Sequence, residues 1–426
     1  SISIKSILAY RKDTLLVTTY KNGLFLFHNN TLLKPKNLNQ SFFEENRISG
    51  SITTSNGWYA LSTASSGCVI INKSGNIIQK FTYEDGLQKN NVRCVFTDKN
   101  QNLWLGLDDG IDFIAFNNAV KYIYPDKDKQ ISSYATQILN NKLYVGTSNG
   151  LFVSQLQNIL GDLSFNKNSF VEISNTQGQV WNLNTINKKL LVAHEEGAFV
   201  INNNEAKSLY KIPGTWMFQE LSNYYPSKEL IAGTYNGLFF LEYYNNEFTP
   251  KVNVSGANES LRFIVYDNYN NHVWASHPYR GIYKFALNSN KNQVTKTTIY
   301  TVKDGLPSSL GNYLARVKNR IVVSTIKGIY EFDNKSQKFI YSKTFEPIFG
   351  KMVIEYLKED NYGNIWFIGN KKVGVVDFSR KLKNKDFDII YFPELSSQVV
   401  AGFESIYPYN QQNIFIGSNK GLIHIN

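Results

Sequence analysis

Residues 103–114 read LWLGLDDGIDFI, two β-rich runs joined by a tight turn at Gly110. Four further clear copies are LYVGTSNGLFV (143–153), LIAGTYNGLFFL (230–241), IVVSTIKGIYEF (321–332) and IFIGSNKGLIHI (414–425). The complete set is marked by ten turn glycines: Gly23, Gly67, Gly110, Gly150, Gly197, Gly237, Gly281, Gly328, Gly374 and Gly421. Nine intervals separate the first glycine from the last, and the mean period is about 44 residues. A repeat of about 40–50 residues with several short strands is typical of a β-propeller.

The third repeat shows how each unit is expected to form one blade. Residues 92–96 are predicted to form an inner strand. Residues 103–107 and 111–116 follow as the second and third strands, and residues 120–124 as the fourth. Glycine at the bend tolerates the positive φ that a tight hairpin requires. The predicted fold class is therefore all-β, with ten repeats of four-stranded antiparallel blades.

The number of repeats predicts how the chain is divided. Ten blades exceed the roughly four to eight that form one propeller ring. We therefore expect residues 1–119 to form three blades of an incomplete first propeller, and residues 120–426 to form a seven-bladed propeller. The last repeat ends after its third strand, and segment 120–124 would supply the missing outer strand and protect a sheet edge. A single ten-bladed ring remains the alternative.

Composition excludes several functional classes. The net charge of +11 is spread along 426 residues, and its densest basic cluster is at residues 380–385. No arginine-rich arm or nucleic-acid fold motif accompanies it, so direct nucleic-acid binding is not expected. No run of 18 apolar residues occurs, which excludes a membrane-spanning helix. Residues 1–4 lack signal-peptide character, and any export signal or membrane anchor is expected outside this chain.

The two cysteines, Cys68 and Cys94, lie in β-like runs of adjacent repeats. We interpret them as two buried free thiols, and a disulfide between them remains open. No CxxC motif or Cys/His cluster indicates a metal site, and no cofactor is expected.

Phrases distributed over nearly the whole chain carry a family resemblance. They include Glu84-Asp85-Gly86-Leu87, Asn102-Leu103-Trp104-Leu105-Gly106, Gln177-Gly178-Gln179-Val180-Trp181, Gly214-Thr215-Trp216, Glu259-Ser260-x-Arg262, Gly305-Leu306-Pro307-Ser308 and Phe403-Glu404-x-Ile406-Tyr407. Their order resembles the two-component-regulator propeller repeat of bacterial extracytoplasmic sensors. The chain is most similar to the periplasmic sensor region of triple tyrosine motif regulators.

The resemblance implies both an architecture and a role. Family members have two stacked seven-bladed propellers, an immunoglobulin-like domain, a membrane helix, and a histidine kinase or LuxR-type output. The tyrosine domain, the membrane helix and the output have no counterpart in this sequence. The resemblance therefore implies a periplasmic or extracytoplasmic sensor region of a signalling or transcriptional regulator, with the anchor outside this chain.

Sequence motifs of catalysis are missing. The five histidines are at positions 28, 194, 272, 277 and 424, and none stands in HExxH or beside a plausible nucleophile. The Gly-x-Ser-x-Gly and phosphate-loop patterns are absent as well. We therefore expect no enzymatic activity.

Candidate ligand-binding residues lie in the turns between second and third strands. Loops on a rigid scaffold are where binding residues concentrate, and Tyr and Trp stack on sugar faces. Trp104, Trp274 and Trp366 recur at one blade position and are predicted to be core residues, whereas Trp181 and Trp216 break that pattern. The candidate ligand-binding set is Trp181, His194, Glu195, Trp216, Tyr235, His277, Tyr279 and Arg280.

Three functional hypotheses follow. The first is non-covalent recognition of an oligosaccharide or anionic envelope glycan, whose binding biases the packing of propellers or of two sensor chains in a homodimer. The second is a cell-envelope scaffold that binds a protein partner in secretion or surface assembly. The third is a propeller polysaccharide lyase or hydrolase, against which the lack of a convergent acid–base set argues.

Overall fold

The computed structural model describes residues 2–126, 129–156, 161–165, 169–222, 224–379 and 386–426. The basic cluster at 380–385 lies outside these residues. Two compact units divide the chain, Ser1–Ala119 and Val120–Asn426. Within the described ranges the fold is all-β and propeller-like, with nine four-stranded antiparallel sheets and one three-stranded sheet, which confirms the predicted fold class. The prediction that residues 120–124 form the fourth strand of the third repeat is wrong, because Val120–Ile123 pairs with the last strand of the chain instead.

The first unit contains three sheets. Sheet 1 has β1 (Ile4–Arg11), β2 (Thr14–Thr19), β3 (Leu24–His28) and β4 (Thr31–Leu33). Helix α1 (Gln40–Asn46) leads to sheet 2, with β5 (Ile48–Thr53), β6 (Tyr59–Thr63), β7 (Cys68–Ile71) and β8 (Ile77–Phe81). A 3-10 helix at Tyr83–Asp85 precedes sheet 3, with β9 (Val92–Thr97), β10 (Leu103–Leu107) and β11 (Ile111–Ile114).

The second unit contains seven sheets in the part of the chain that the structure describes. Strand β12 (Val120–Ile123) is followed by sheet 4, with β13 (Ser133–Leu139), β14 (Lys142–Thr147), β15 (Leu151–Gln155) and β16 (Val171–Glu172). Sheet 5 has β17 (Val180–Ile186), β18 (Lys189–His194), β19 (Gly197–Asn202) and β20 (Glu205–Tyr210). Sheet 6 has β21 (Met217–Glu220), β22 (Glu229–Thr234), β23 (Gly237–Tyr244) and β24 (Glu247–Asn253).

The remaining sheets continue the same order. Sheet 7 has β25 (Phe263–Asp267), β26 (His272–His277), β27 (Gly281–Leu287) and β28 (Val294–Tyr300). Sheet 8 has β29 (Tyr313–Val317), β30 (Arg320–Thr325), β31 (Gly328–Asp333) and β32 (Lys338–Tyr341), and helix α2 (Glu346–Phe349) follows it. Sheet 9 has β33 (Ile354–Glu359), β34 (Ile365–Gly369), β35 (Lys372–Asp377) and β36 (Asp388–Phe392). Sheet 10 has β37 (Ile406–Pro408), β38 (Ile414–Ser418) and β39 (Gly421–Ile425), with β12 as its fourth strand. Single 3-10 turns lie at Leu163–Phe165, Val302–Asp304 and Pro393–Leu395.

Neighbouring sheets of the second unit pack face to face. Ile231 and Phe240 of sheet 6 bury their side chains against Val273 and Phe285 of sheet 7, and similar apolar cores lie between the other sheets. The series also returns to its start, because the Ile138 backbone N–H of β13 donates to the Tyr407 hydroxyl of β37 over 3.3 Å. Since a radial sheet buries its apolar faces only against neighbours, this return leaves neither end of the series uncovered.

Strand β12 completes sheet 10 by pairing with β39 in antiparallel register, from Val120 opposite Ile425 to Ile123 opposite Leu422. A buried polar group reinforces the pairing: the Lys121 ammonium bonds the Asp162 carboxylate, and His424 Nδ1 lies 3.5 Å from Asp162 Oδ1. The Nε2 atom of His424 lies 2.8 Å from Asn413 Oδ1. The chain's early and late segments are therefore held together inside one sheet.

Sheet 3 differs from the others in its exposed aromatic face. Phe96, Ile111 and Phe113 are exposed, and the Trp104 ring is 41% exposed although Trp274 and Trp366 are buried. The prediction that Trp104 is a core residue is therefore wrong, because its ring packs against Phe113 of its own sheet, with ring centres 4.9 Å apart, and stays open to solvent. Cys68 and Cys94 are both free thiols, but only Cys68 is buried, so the prediction of two buried thiols holds for one of them.

Candidate functional site

The turns between second and third strands share one capping hydrogen bond. Thr147, Thr234 and Thr325 end their strands, and each hydroxyl oxygen accepts the backbone N–H two residues later over 3.1 Å. His194 and His277 occupy the same position, and each Nδ1 accepts the equivalent N–H over 3.0 Å. Both histidines are buried, and burial is the main cause that lowers the pKa of each. These two candidates therefore act as turn caps below the surface.

Three other candidates, from sheets 5 and 6, meet at one place. The rings of Trp181 and Trp216 stack with their centres 4.1 Å apart, and the Tyr235 ring lies 5.5 and 5.3 Å from them. Trp181 is the second residue of β17, Trp216 directly precedes β21, and Tyr235 lies in the β22–β23 turn. Because the second strand of each sheet returns antiparallel to the first, these positions all fall where the innermost strands begin.

Residues that the sequence interpretation missed extend this group. The Phe403 ring stacks on Tyr134 at 4.5 Å and lies 6.3 Å from both tryptophans. The Arg262 guanidinium lies 4.7 Å from the Trp216 ring centre and 5.3 Å from that of Phe403, and it donates to the Gly402 carbonyl. We call Tyr134, Trp181, Trp216, Tyr235, Arg262 and Phe403 the rim cluster. It joins side chains from sheets 4, 5, 6 and 10 around one cation.

The aromatic rings of the rim cluster are held by their surroundings. Trp181 Nε1 donates to Gln179 Oε1 over 3.0 Å. Gly214 has a φ of 75°, and a Cβ atom there would lie 2.2 Å from the Tyr235 ring. Only glycine therefore lets Tyr235 lie against this backbone. Tyr235 remains 43% exposed, so it presents a fixed aromatic surface to solvent.

Carboxylates lie at the rim cluster, Glu404 near the Arg262 guanidinium and Glu195 near Tyr134 and Tyr235. Glu195 Oε1 accepts the Gln179 N–H over 2.8 Å, and Glu404 Oε1 accepts the Gly402 N–H over 2.8 Å. Burial lowers the pKa of Arg262, which Glu404 opposes, and burial together with Glu404 raises the pKa of Glu355. Aromatic faces beside hydrogen-bond acceptors and one cation suit a ligand that carries many hydroxyl groups.

The remaining candidates form a separate group. Arg280 Nη1 lies 2.9 Å from Glu259 Oε1, and His277 Nε2 lies 3.4 Å from Glu259 Oε2. Tyr279 is exposed beside them, with its ring centre 6.3 Å from that of His277. Among the described residues, no hydrogen bond, ion pair or ring contact joins this group to the rim cluster.

A signal for the missed residues was present in the sequence. Arg262 stands directly before β25, at the repeat position that Trp216 occupies directly before β21. Aligning the residues that precede each inner strand would have found Arg262, but Phe403 lies three residues before β37 and does not share that position. Within the described ranges, no group of His, Cys, Asp and Glu is arranged to hold a metal ion, and no helix is long and apolar enough to cross a bilayer.

Comparison with known proteins confirms the family resemblance. The family model of the two component regulator propeller matches residues 86–109. The fold is similar to the crystal structure described as the extracellular domain of hybrid two component system BT3049 from B. thetaiotaomicron, with a TM-score of 0.64 and 17% identity. That match covers 99% of this chain and 56% of the other.

A second similar structure is the extracellular domain of hybrid two component system BT4673 from the same organism. Its TM-score is 0.54 at 15% identity, and the match covers 100% of this chain and 58% of that one. The chain thus spans less than two thirds of the length of both structures. No curated protein matches the sequence significantly.

Proposed function

We propose that this chain is the ligand-sensing region of a membrane-anchored bacterial signalling protein and acts outside the cytoplasm without catalysing a reaction. The likeness to extracellular domains of hybrid two component systems supports this role. The match to the regulator propeller at residues 86–109 supports it independently. A sensor transmits a signal only if its ligand has different affinities for two arrangements of the protein.

The ligand in this proposal is a glycan or another hydroxyl-rich envelope component, and it binds at the rim cluster. The observation that carries the proposal is the convergence of Trp181, Trp216, Tyr235 and Phe403 from three sheets around Arg262. The exposed Tyr235 ring would pack on the apolar face of a sugar, with the half-buried Trp216 and Phe403 beside it, while Glu195 and Glu404 accept hydroxyl hydrogen bonds. Trp181 is buried and supports the Trp216 ring from beneath. His194 is excluded from the ligand set because its ring is buried under the turn that it caps.

Isothermal titration with a panel of neutral and uronic-acid oligosaccharides tests this function. At least one saccharide is expected to bind, and Tyr235→Ala is expected to weaken it about tenfold, about 1.4 kcal/mol. Tyr269→Ala is the matched control, because Tyr269 is an exposed tyrosine in the β25–β26 turn at the opposite end of the inner strands. If no saccharide of the panel binds and a protein partner co-purifies in stoichiometric amount, the glycan proposal is wrong and the scaffold function replaces it.

A further inference from the structure

A concave surface lies at the end of the innermost strands opposite the rim cluster. It is a groove of about 500 Å³, lined by Asn187, Lys188, Lys189, Tyr225, Tyr243 and Asn246. The first three residues form the β17–β18 turn and the start of β18, and Tyr225 lies in the β21–β22 connection. First-to-second turns lie opposite second-to-third turns, so this tyrosine groove is separate from the rim cluster.

The walls of the tyrosine groove are fixed by their own hydrogen bonds. The Asn187 side chain donates to the Ser227 carbonyl over 2.7 Å and accepts the Ser227 N–H over 2.8 Å. This pair clamps the loop that carries Tyr225 onto the β17–β18 turn. On the other side, the Tyr243 hydroxyl donates to Asn246 Oδ1 over 2.6 Å. The groove is therefore formed before any ligand arrives, which reduces the entropy cost of binding.

The exposed chemistry of the groove combines rings with positive charge. Tyr225 is 71% exposed, and Tyr243 lines the same groove. Among the described residues, Lys188 and Lys189 form no ion pair. The Asn246 amide oxygen accepts from the Tyr243 hydroxyl, and among the described residues no hydrogen bond engages the Asn246 N–H donors. The lining therefore offers aromatic surface, two cations and amide donors.

We propose that the tyrosine groove binds an anionic saccharide, one whose sugar rings carry carboxylate or sulfate groups. The tyrosine rings would pack on the sugar faces, and the lysine ammonium groups would pair with the acidic substituents. The volume fits one or a few sugar rings, since small-ligand sites enclose about 300–1,000 Å³. A folded protein partner fits less well, because stable protein interfaces bury about 800 Å² on each side.

This site and the rim cluster differ in charge. The rim cluster has one arginine with Glu404 near it and Glu355 near Glu404, whereas the tyrosine groove has two lysines that form no ion pair within the described ranges. An acidic saccharide is therefore expected to prefer the groove. The inference does not depend on the function proposed for the rim cluster, and each site can fail without the other.

Titration calorimetry on the full chain with trigalacturonate, a sulfated chondroitin hexasaccharide and neutral maltotriose tests the proposal. At least one acidic probe is expected to bind, more tightly than maltotriose and less tightly as NaCl rises, because salt screens charge pairing. Tyr225→Ala is expected to weaken the acidic probe about tenfold, and the double change Lys188→Gln and Lys189→Gln by at least about fivefold. Tyr235→Ala at the rim cluster is expected to leave this binding unchanged.

Three results would overturn the proposal. One is that neither acidic probe produces a measurable heat of binding. Another is affinity that neither the Tyr225 nor the lysine variants alter. The third is acidic-probe binding that Tyr235→Ala abolishes, which would assign it to the rim cluster instead. The lysine variant changes surface side chains only, so its circular dichroism and melting curve are expected to match those of the parent chain.

Discussion

At the scale of single residues, histidine and threonine perform the same task in the hairpin turns of the second unit. His277 Nδ1 and Thr234 Oγ1 both accept the backbone N–H two residues later. A buried acceptor at this point satisfies a backbone N–H that the turn would otherwise leave without a hydrogen-bond partner. His194 and His277 stand out in the sequence as two of only five histidines, but their role as turn caps follows from their position in the repeat.

Replacing His277 distinguishes capping from ligand binding. His277→Thr is expected to keep the melting temperature close to that of the parent chain, because the hydroxyl accepts the same Tyr279 N–H. His277→Ala is expected to cost about 1 kcal/mol of unfolding free energy, as one hydrogen bond is lost. Urea unfolding of both variants measures this. Equal destabilisation by Thr and Ala would contradict the capping role.

The turn glycines have a second constraint besides their dihedral angles. Gly237 has a φ of 115°, and a Cβ atom there would lie 1.5 Å from the Ala257 carbonyl oxygen. Gly237→Ala is therefore expected to destabilise the unit by more than about 2 kcal/mol, since strain and a clash with backbone combine. Gly350→Ala is the control, because it also has a positive φ but meets nothing within 4 Å. Thermal unfolding with equal losses in both variants would contradict the close approach.

At the scale of strands and sheets, the period of the glycines predicted four-stranded units because a tight hairpin needs positive φ at its bend, and nine of the ten glycines have it. The prediction for Gly374 is wrong: it lies inside β35, and Asn370 and Lys371 adopt the positive φ at that bend. The rim cluster was only partly predictable. Trp181, Trp216 and Tyr235 are conspicuous residue types, but Tyr134, Arg262 and Phe403 are more than 120 residues apart in sequence. They meet only because the sheets return to their start, a contact that no local pattern contains.

Strand β12 makes a direct prediction about closure of the second unit. A fragment of residues 120–426 retains β12, whereas residues 126–426 lack it together with Lys121. The shorter fragment is expected to lose about 3–5 kcal/mol, since Asp162 keeps a half-buried charge without its lysine partner. Urea unfolding of the two fragments compares them directly. Identical midpoints would show that β12 does not stabilise the unit.

The same polar group makes stability depend on pH. Burial is the main cause that lowers the pKa of His424 to about 4, against the opposing effect of Asp162. The unfolded chain therefore takes up this proton first, near pH 6.5, and stability falls as the pH drops from about 6.5 towards 4, by up to about 3 kcal/mol. Above pH 7 this contribution is constant.

Unfolding midpoints between pH 7.5 and 5 measure the effect of His424. His424→Gln is expected to flatten the decline, while the control His28→Gln, at an exposed histidine, is expected to leave it unchanged. Asp162 does not interfere in this range, because its own pKa is lowered below the usual carboxyl value, with hydrogen bonds from Lys121 and Ser164 opposing burial. If the unfolding midpoint of His424→Gln falls with pH as steeply as that of the parent chain, His424 is not the cause of the pH dependence.

At the scale of the whole molecule, the two units differ in how completely they cover their sheets. We propose that residues 1–119 are blades of an incomplete propeller and residues 120–426 a seven-bladed propeller closed by β12. The exposed Phe96, Trp104, Ile111 and Phe113 on sheet 3 support the first part of this proposal. The pairing of β12 with β39 supports the second. Charge is also distributed unevenly over the molecule: the chain has a net charge of +11, but the carboxylates of Glu195 and Glu404 lie at the rim cluster.

A crystal structure of the chain with the tightest neutral oligosaccharide of the titration panel tests the central claim most directly. The account predicts a sugar ring in contact with Tyr235 and Trp216, with its hydroxyl groups within hydrogen-bond distance of Glu195 or Glu404. A saccharide bound elsewhere on the chain, with the rim cluster free of it, would contradict the claim.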